Sequence, residues 1–179
     1  MRQKSRMIDL RIVLELLHDS RVPFTALAKR CGLSRKALCN RIQKLLLSGI
    51  IEGFTVSVNL ERLGLENHAF LLLRIKAPQT LRKVEQLIRL DRRVARAYQL
   101  LSENTLLLEV FTLSKQDLND LIDNFCRLDL PAYPQILPVS KTIKEMLSHP
   151  VEYLFEKIRR DSPKNTDHTF VQSMHLWAD

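Results

Sequence analysis

The sequence predicts an α+β chain with an N-terminal winged helix-turn-helix and a C-terminal βαββαβ ferredoxin-like domain. Three observations predict it. Helical spacing of apolar residues, broken by short Pro and Gly turns, fills the first 50 residues. Strand-like and helix-like runs then alternate between residues 69 and 143. The positive charge lies almost wholly in the first third. We place the domains at 1–64 and 65–147, with a C-terminal extension at 148–179.

The charge distribution indicates the kind of partner. Residues 1–60 carry 11 Lys and Arg against 4 Asp and Glu, a balance of +7. Residues 61–179 carry 17 against 16, a balance of +1. Such asymmetry is typical of a polyanion-binding module joined to a neutral one. The alternative is a solvated basic face without a partner.

Composition narrows the class of protein. The chain is 45% hydrophobic and 27% charged, as in a globular domain. No apolar run reaches the roughly 18 residues needed to span a bilayer, and no secretory signal opens the sequence, so we expect a cytoplasmic protein. Cys31, Cys39 and Cys126 form no CxxC pair and are predicted to be reduced thiols. We predict no cofactor and no metal.

Two helices are predicted at the start of the chain. In residues 7–18, Ile8, Ile12 and Leu16 recur at helical spacing, with Arg11 and Glu15 on the other side. Pro23 interrupts this pattern. A second short helix follows and ends at Gly32, because a glycine can take the left-handed conformation that closes a helix.

The third predicted helix is basic and amphipathic. Ser34 is a favourable N-cap, and an apolar stripe with Leu38, Ile42 and Leu45 runs to Gly49. Two helices joined by a short glycine turn are typical of a helix-turn-helix. Off the apolar stripe, or at its cap, lie the predicted DNA-binding residues: Ser34, Arg35, Lys36, Asn40, Arg41, Gln43 and Lys44.

Each residue type in this set suits a different contact with DNA. Arg pairs with guanine edges, and Asn or Gln with adenine, in the major groove. Arg41, Lys44 and the capped helix N-terminus are better placed for phosphates. Cys39 lies on the same helix, where a small spacer is the favoured interpretation and a redox-sensing thiol the alternative.

A wing is predicted directly after the third helix. Residues 50–58 alternate between apolar and polar types, with Gly53 as the tight point between two strands. The polar stretch 59–67 then marks the domain boundary.

The second domain follows from a strand, helix, strand, strand, helix, strand order. We predict strands at 69–75, 94–101, 105–111 and 135–143, and helices at 80–90 and around 118–125. One sheet face would be apolar and uncovered in a monomer, so we expect pairing with another copy. In the extension, residues 150–160 suit an amphipathic helix, and the final FVQSMHLW is apolar enough to dock. His168 and His175 in that tail do not make a metal site.

The ordered motifs carry a family resemblance. LA-x-x-x-G-L-S from Leu27, R-I-x-x-L from Arg41, S-G-I-I-x-G-F from Ser48 and the closing Leu63–Gly64 resemble the Lrp/AsnC transcriptional regulators, and with the second domain the resemblance spans roughly residues 7–147. It implies double-stranded DNA as partner and a homodimer, built sheet to sheet, or a higher homo-oligomer. It also implies amino-acid effectors held between subunits.

One departure weakens the effector prediction. Effector-responsive members usually carry a Gly closely followed by an Asp at the turn between the second and third strands, whereas this chain has Leu101–Ser102–Glu103–Asn104–Thr105. Without the glycine, the backbone loses the freedom that lets a ligand approach closely. The effector site is left unassigned, and a regulator without a ligand or with a different ligand stays open.

Two further alternatives concern function. A winged helix can serve protein contacts alone, but the basic set on the third helix argues against this. Sirohaem decarboxylases resemble Lrp/AsnC proteins in both domains, but the arginine-rich wing associated with them is replaced by Glu52–Gly53–Phe54. No phosphate loop, HExxH or nucleophile elbow occurs. We therefore expect a sequence-specific DNA-binding regulator and not an enzyme.

Overall fold

The computed structural model describes residues 2–101 and 104–160, with side chains from Ser5 onward. The chain divides into two compact units, one before Val56 and again from Lys144, the other from Val56 to Ile143. None of the helices in the described residues is long and apolar enough to cross a membrane.

The first unit consists of four helices: α1 (Arg2–His18), α2 (Phe24–Arg30), α3 (Arg35–Leu47) and α6 (Ser148–Arg160). The first three enclose one apolar core, in which Ile12, Leu27 and Leu38 are fully buried. The second core is small and lies between α1 and α6, where Leu14 and Phe155 are buried against each other. The predicted helix at 150–160 is therefore present and packs on α1.

The predicted two-stranded wing is wrong. Residues 51–59 form no strand, and Phe54, Val56 and Val58 are exposed. Each arm around Gly53 has only a few residues, and an isolated two-stranded ribbon of that length is marginal in water. Backbone hydrogen bonds hold the start of the segment, where the N–H groups of Ile50 and Ile51 both donate to the Leu45 carbonyl at 3.0 and 3.1 Å. A single 3-10 turn, Glu61–Leu63, follows.

The second unit has the predicted βαββαβ order. Its elements are β1 (Asn67–Arg74), α4 (Pro78–Leu90), β2 (Val94–Gln99), β3 (Thr105–Thr112), α5 (Lys115–Cys126) and β4 (Gln135–Pro138). The strands form one sheet in the order β2-β3-β1-β4, and the paired strands are antiparallel. The final strand is shorter than the predicted 135–143.

Alternation along the strands gives the sheet two different faces. On one face, Leu71, Leu73 and Leu108 form a core with Leu121 and Phe125 of α5, and all five are fully buried. The opposite face carries the alternate residues, half of which are apolar or aromatic: Phe70, Leu72, Tyr98, Leu107, Phe111 and Leu137.

One carboxylate lies within that opposite face. Glu109 is only 8% exposed, and side chains of two neighbouring strands contact its carboxylate. Arg96 donates to Glu109 at 2.9 Å, and His68 Nε2 lies 3.0 Å from the other carboxylate oxygen. The His68 ring stacks on Phe111 at 4.2 Å. Because its charge is paired within the chain, Glu109 does not prevent this face from being covered.

The division into units differs from the predicted domains in two respects: the first boundary lies between Thr55 and Val56, and the first unit includes the segment from Lys144. The sequence placed the boundary near residue 65 and treated 148–179 as an appendage. In the structure the first unit takes in the segment from Lys144, because α6 buries an apolar face of α1. The predicted docking of FVQSMHLW and the two histidines of that tail lie outside the described residues.

Candidate nucleic-acid interface

A tight turn sets the angle between α2 and α3. Gly32 takes a φ of +64°, which favours glycine, and the Leu33 N–H donates to the Ala28 carbonyl at 2.9 Å. Cys31, just before the glycine, is buried in the unit's core, and burial raises the pKa of its thiol to about 11. Cys31 is therefore a packing residue. Its burial holds the turn before Gly32, and the hydrogen bond from Leu33 holds it after Gly32.

Ser34 caps α3 as predicted. Its backbone is extended, and its hydroxyl accepts a hydrogen bond from the Ala37 N–H at 3.2 Å. The remaining N–H groups of the first turn have no partner within the helix, so the positive end of the helix dipole is available to a phosphate. Arg35 and Lys36 are exposed in that same turn.

The two sides of α3 are chemically distinct. Leu38, Ile42 and Leu45 are buried in the core of the unit. Since successive helical residues are about 100° apart, Lys36, Asn40 and Gln43 project within a sector of about 60° on the opposite side. All three are exposed. Lys36 presents a cation that can donate hydrogen bonds to base edges. The amides of Asn40 and Gln43 can both donate to base edges and accept from them.

Six of the seven predicted residues lie on the exposed surface of α3 or at its cap, and the seventh does not. Arg41 is half-buried, and its guanidinium donates to the Asp9 carboxylate and, at 3.2 Å, to the Ser5 hydroxyl. Both partners are on α1. Arg41 therefore joins α3 to α1, while Lys44, nearly one turn later in the helix, is exposed. The sequence did not reveal this pairing, because the partners are more than 30 positions away.

A second ion pair fixes the short helix α2. Arg30 donates to Glu15 of α1 at 2.8 Å. Two of the four acidic residues in the first 60 are thus engaged with arginines inside the unit. The exposed cations of α3 keep no acidic partner among the ion pairs of the described residues, so the surface of α3 remains electropositive. That surface suits an anionic partner.

The remaining chemistry of the described residues is limited. The three cysteines are free, and burial is the main reason why the pKa of Cys126 is raised. Within the same residues no three His, Cys, Asp or Glu side chains cluster in a way that would hold a metal ion.

Comparison with known proteins bears on the same region. Residues 7–46 match the family model of the AsnC-type helix-turn-helix domain. This segment contains α2, the turn and nearly all of α3.

Longer similarities extend into the second unit. LrpA of Pyrococcus horikoshii, an HTH-type transcriptional regulator, is 33% identical over 125 residues, which are 66% of this chain and 85% of LrpA. The HTH-type transcriptional regulator FL11 of Pyrococcus abyssi is 28% identical over 145 residues, 81% of this chain and 95% of FL11. The fold resembles that of a transcriptional regulator of Neisseria meningitidis solved with L-Met. The TM-score is 0.73 and the identity 23%, over 82% of this chain and 97% of that one.

Proposed function

The chain belongs to the Lrp/AsnC family of DNA-binding transcriptional regulators, and from this premise we propose that it recognises operator DNA sequence through the exposed side of α3. The observation that carries the proposal is the grouping of Lys36, Asn40 and Gln43 on one exposed side of a capped helix, opposite the core. Side chains of these types in the major groove distinguish base pairs. Arg35, Lys44 and the Ser34-capped end are positioned at the margins of that side for further base or phosphate contacts.

Arg41 has a different part in this proposal. Its bonds to Asp9 and Ser5 hold α3 against α1, so it keeps the contacting helix at a fixed angle. It would contact a phosphate only by leaving those partners. Arg41 is therefore a positioning residue here, and the other six residues make the contacts.

We test the contact set with two single substitutions. Arg35→Ala should cost about 1–3 kcal/mol of binding and relax preference at one base pair, since it removes a base contact. Lys44→Ala should weaken binding evenly across sequences and reduce the salt slope by about one unit, since it removes a phosphate contact. Lys115→Ala, the same loss of charge in the second unit, is the matched control. Binding is measured by fluorescence anisotropy on duplexes selected in vitro. Parent-like affinity and salt slope in both α3 variants would contradict the proposed set of contacting residues.

The proposal includes a homodimer formed through the open sheet face. That face is rich in Phe, Leu and Tyr, and Glu109 within it is already paired with Arg96 and His68. Apolar faces of this kind mark protein interfaces. A dimer presents two copies of α3, so it suits operators with two half-sites about one helical turn apart or a multiple of it. Assembly into higher oligomers stays open.

An amino-acid effector receives less support. Asn104 in the β2–β3 turn takes a φ of +52°, so asparagine occupies a conformation that glycine would ease, while Ser102 and Glu103 lie outside the described residues. The Neisseria relative was solved with L-Met. Titration calorimetry of the parent with L-Met and L-Leu is the direct test.

The proposal assigns the protein no catalytic role and places it in the cytoplasm with its DNA. The relatives reported above are named transcriptional regulators, which favours regulation and gives the sirohaem decarboxylase alternative no support. A haem titration without a stoichiometric absorbance change would agree with the regulator.

A further inference from the structure

The helix α1 has two apolar faces. Ile8, Ile12 and Leu16 belong to the core shared with α2 and α3. Met7, Leu10 and Leu14 belong to the second core, on nearly the opposite side of the helix given about 100° per residue. A surface helix with a single buried partner needs only one such face. The sequence of α1 is therefore that of a helix covered on two sides.

The helix α6 covers the second face. Phe155 is 7% exposed and packs on Leu14, which is 1% exposed. His18 Nε2 lies 3.4 Å from Glu152. His18 comes one turn after Leu14 in α1, whereas Glu152 comes one turn before Phe155 in α6. The two helices therefore run antiparallel, and α6 lies on the side of α1 that faces away from α2 and α3.

This packing changes how the two units are joined. The chain leaves the first unit at Thr55, forms the whole second unit, and returns at Lys144. The return segment, residues 139–147, contains no helix or strand and is largely exposed. Two stretches of chain, and not one, therefore connect the DNA-binding unit to the sheet unit.

We propose that α6 is a clamp that gives the DNA-binding unit a second connection to the sheet unit, so that both connections together restrict the orientation of α3. A single flexible linker leaves an attached unit free to reorient, whereas a second attachment at another point reduces that freedom because both linkers must span their distances at once. In a dimer, restricted orientation fixes the distance between the two copies of α3. The clamp thus makes the protein selective for half-site spacing.

This inference rests on the proposed DNA-binding dimer, and its test separates the two. Competition binding compares three duplexes. In the first, two half-sites lie about one helical turn apart; in the second, they lie about one and a half turns apart; the third has one half-site. The parent should prefer the spacing of about one turn or a multiple of it. If the parent binds no duplex, the proposed function fails; if it binds but tolerates both spacings equally, the clamp inference alone fails.

Two full-length variants then address the clamp. Phe155→Ala removes the packing on Leu14 and should raise hydrogen exchange of the α1 amides by about tenfold or more. Inserting six Gly and Ser residues between Lys141 and Thr142 leaves α6 seated but lengthens the second connection by up to about 20 Å. Tyr153→Ala, at a site 67% exposed on α6, is the matched control.

The insertion variant decides the outcome even if Phe155→Ala unfolds the first unit. With the clamp as proposed, the insertion keeps parent-like exchange in α1 and parent-like affinity for one half-site, yet its affinity ratio between the two spacings falls toward unity. Tyr153→Ala keeps the parent's ratio. An insertion variant with the parent's spacing ratio, or a Phe155→Ala variant with unchanged α1 exchange, overturns the inference.

Discussion

At the residue scale, the turn before α3 depends on one backbone conformation. Gly32 has a φ of +64°, and a Cβ placed there would meet nothing within 4 Å. A substitution therefore incurs no collision, and its cost is that of the left-handed backbone alone. Gly32→Ala should lower the free energy of unfolding by about 1–2 kcal/mol, as measured by urea titration with circular dichroism.

A matched glycine separates this effect from the loss of glycine as such. Gly53 is equally open to a Cβ but has no positive φ. Gly53→Ala should be neutral or stabilise by up to about 1 kcal/mol, because alanine restricts the unfolded chain. Equal destabilisation by the two substitutions would show that the positive φ at position 32 is not the source of the cost.

At the element scale, one arginine joins three elements of the second unit. Arg93, just before β2, donates to Asp91 at the end of α4 at 2.6 Å and to Asp117 in the first turn of α5 at 2.9 Å. The hydrogen bond from Arg93 is the main reason why the pKa of Asp91 is lowered, and Asp91 in turn is the main cause of the raised pKa of Arg93. The network fixes how both helices meet the sheet edge.

The lowered pKa of Asp91 gives a pH dependence with a defined sign. A carboxylate whose folded pKa lies below its unfolded value of about 3.9 stabilises the protein above that value. The stabilisation is lost as the pH falls through the folded pKa. The parent should therefore lose stability steeply below about pH 4, whereas Asp91→Asn starts less stable at neutral pH and loses less. Urea titrations at several pH values measure both, with the exposed Asp120→Asn as control. If the free energy of unfolding of Asp91→Asn fell with decreasing pH as steeply as that of the parent, Asp91 would not be the cause of the pH dependence.

The elements also show what sequence patterns can predict. Local signals located Ser34, Gly32 and the order of strands in the second unit, because caps, turns and periodicity act within a few residues. The wing was predicted wrongly, since alternation indicates a strand but cannot supply its partner. The partner of Arg41 is more than 30 positions away in the sequence. The residues that cover the second apolar face of α1 are more than 130 positions away. A local pattern does not identify the partner in such contacts.

At the scale of the whole molecule, the proposed dimer depends on the open sheet face. Leu107 lies near the middle of that face, opposite Leu72 on β1 and Tyr98 on β2. In a two-fold symmetric interface an arginine at this position would come from each subunit. Two charges without partners would then be buried in the interface. The arginine would not enter the core between sheet and helices, because its neighbours Leu106 and Leu108 point to the other side.

Leu107→Arg should therefore yield a folded monomer. Sedimentation velocity would show half the parent's mass with an unchanged circular dichroism spectrum. Affinity for a duplex with two half-sites should fall by about 10²–10⁴-fold, toward that for a single half-site, because the second contact is no longer intramolecular. Leu90→Arg is the matched control, since Leu90 is 81% exposed on α4, away from that face. A Leu107→Arg protein that remains dimeric would place the interface elsewhere, and one that is monomeric yet binds like the parent would mean that a single copy of α3 suffices.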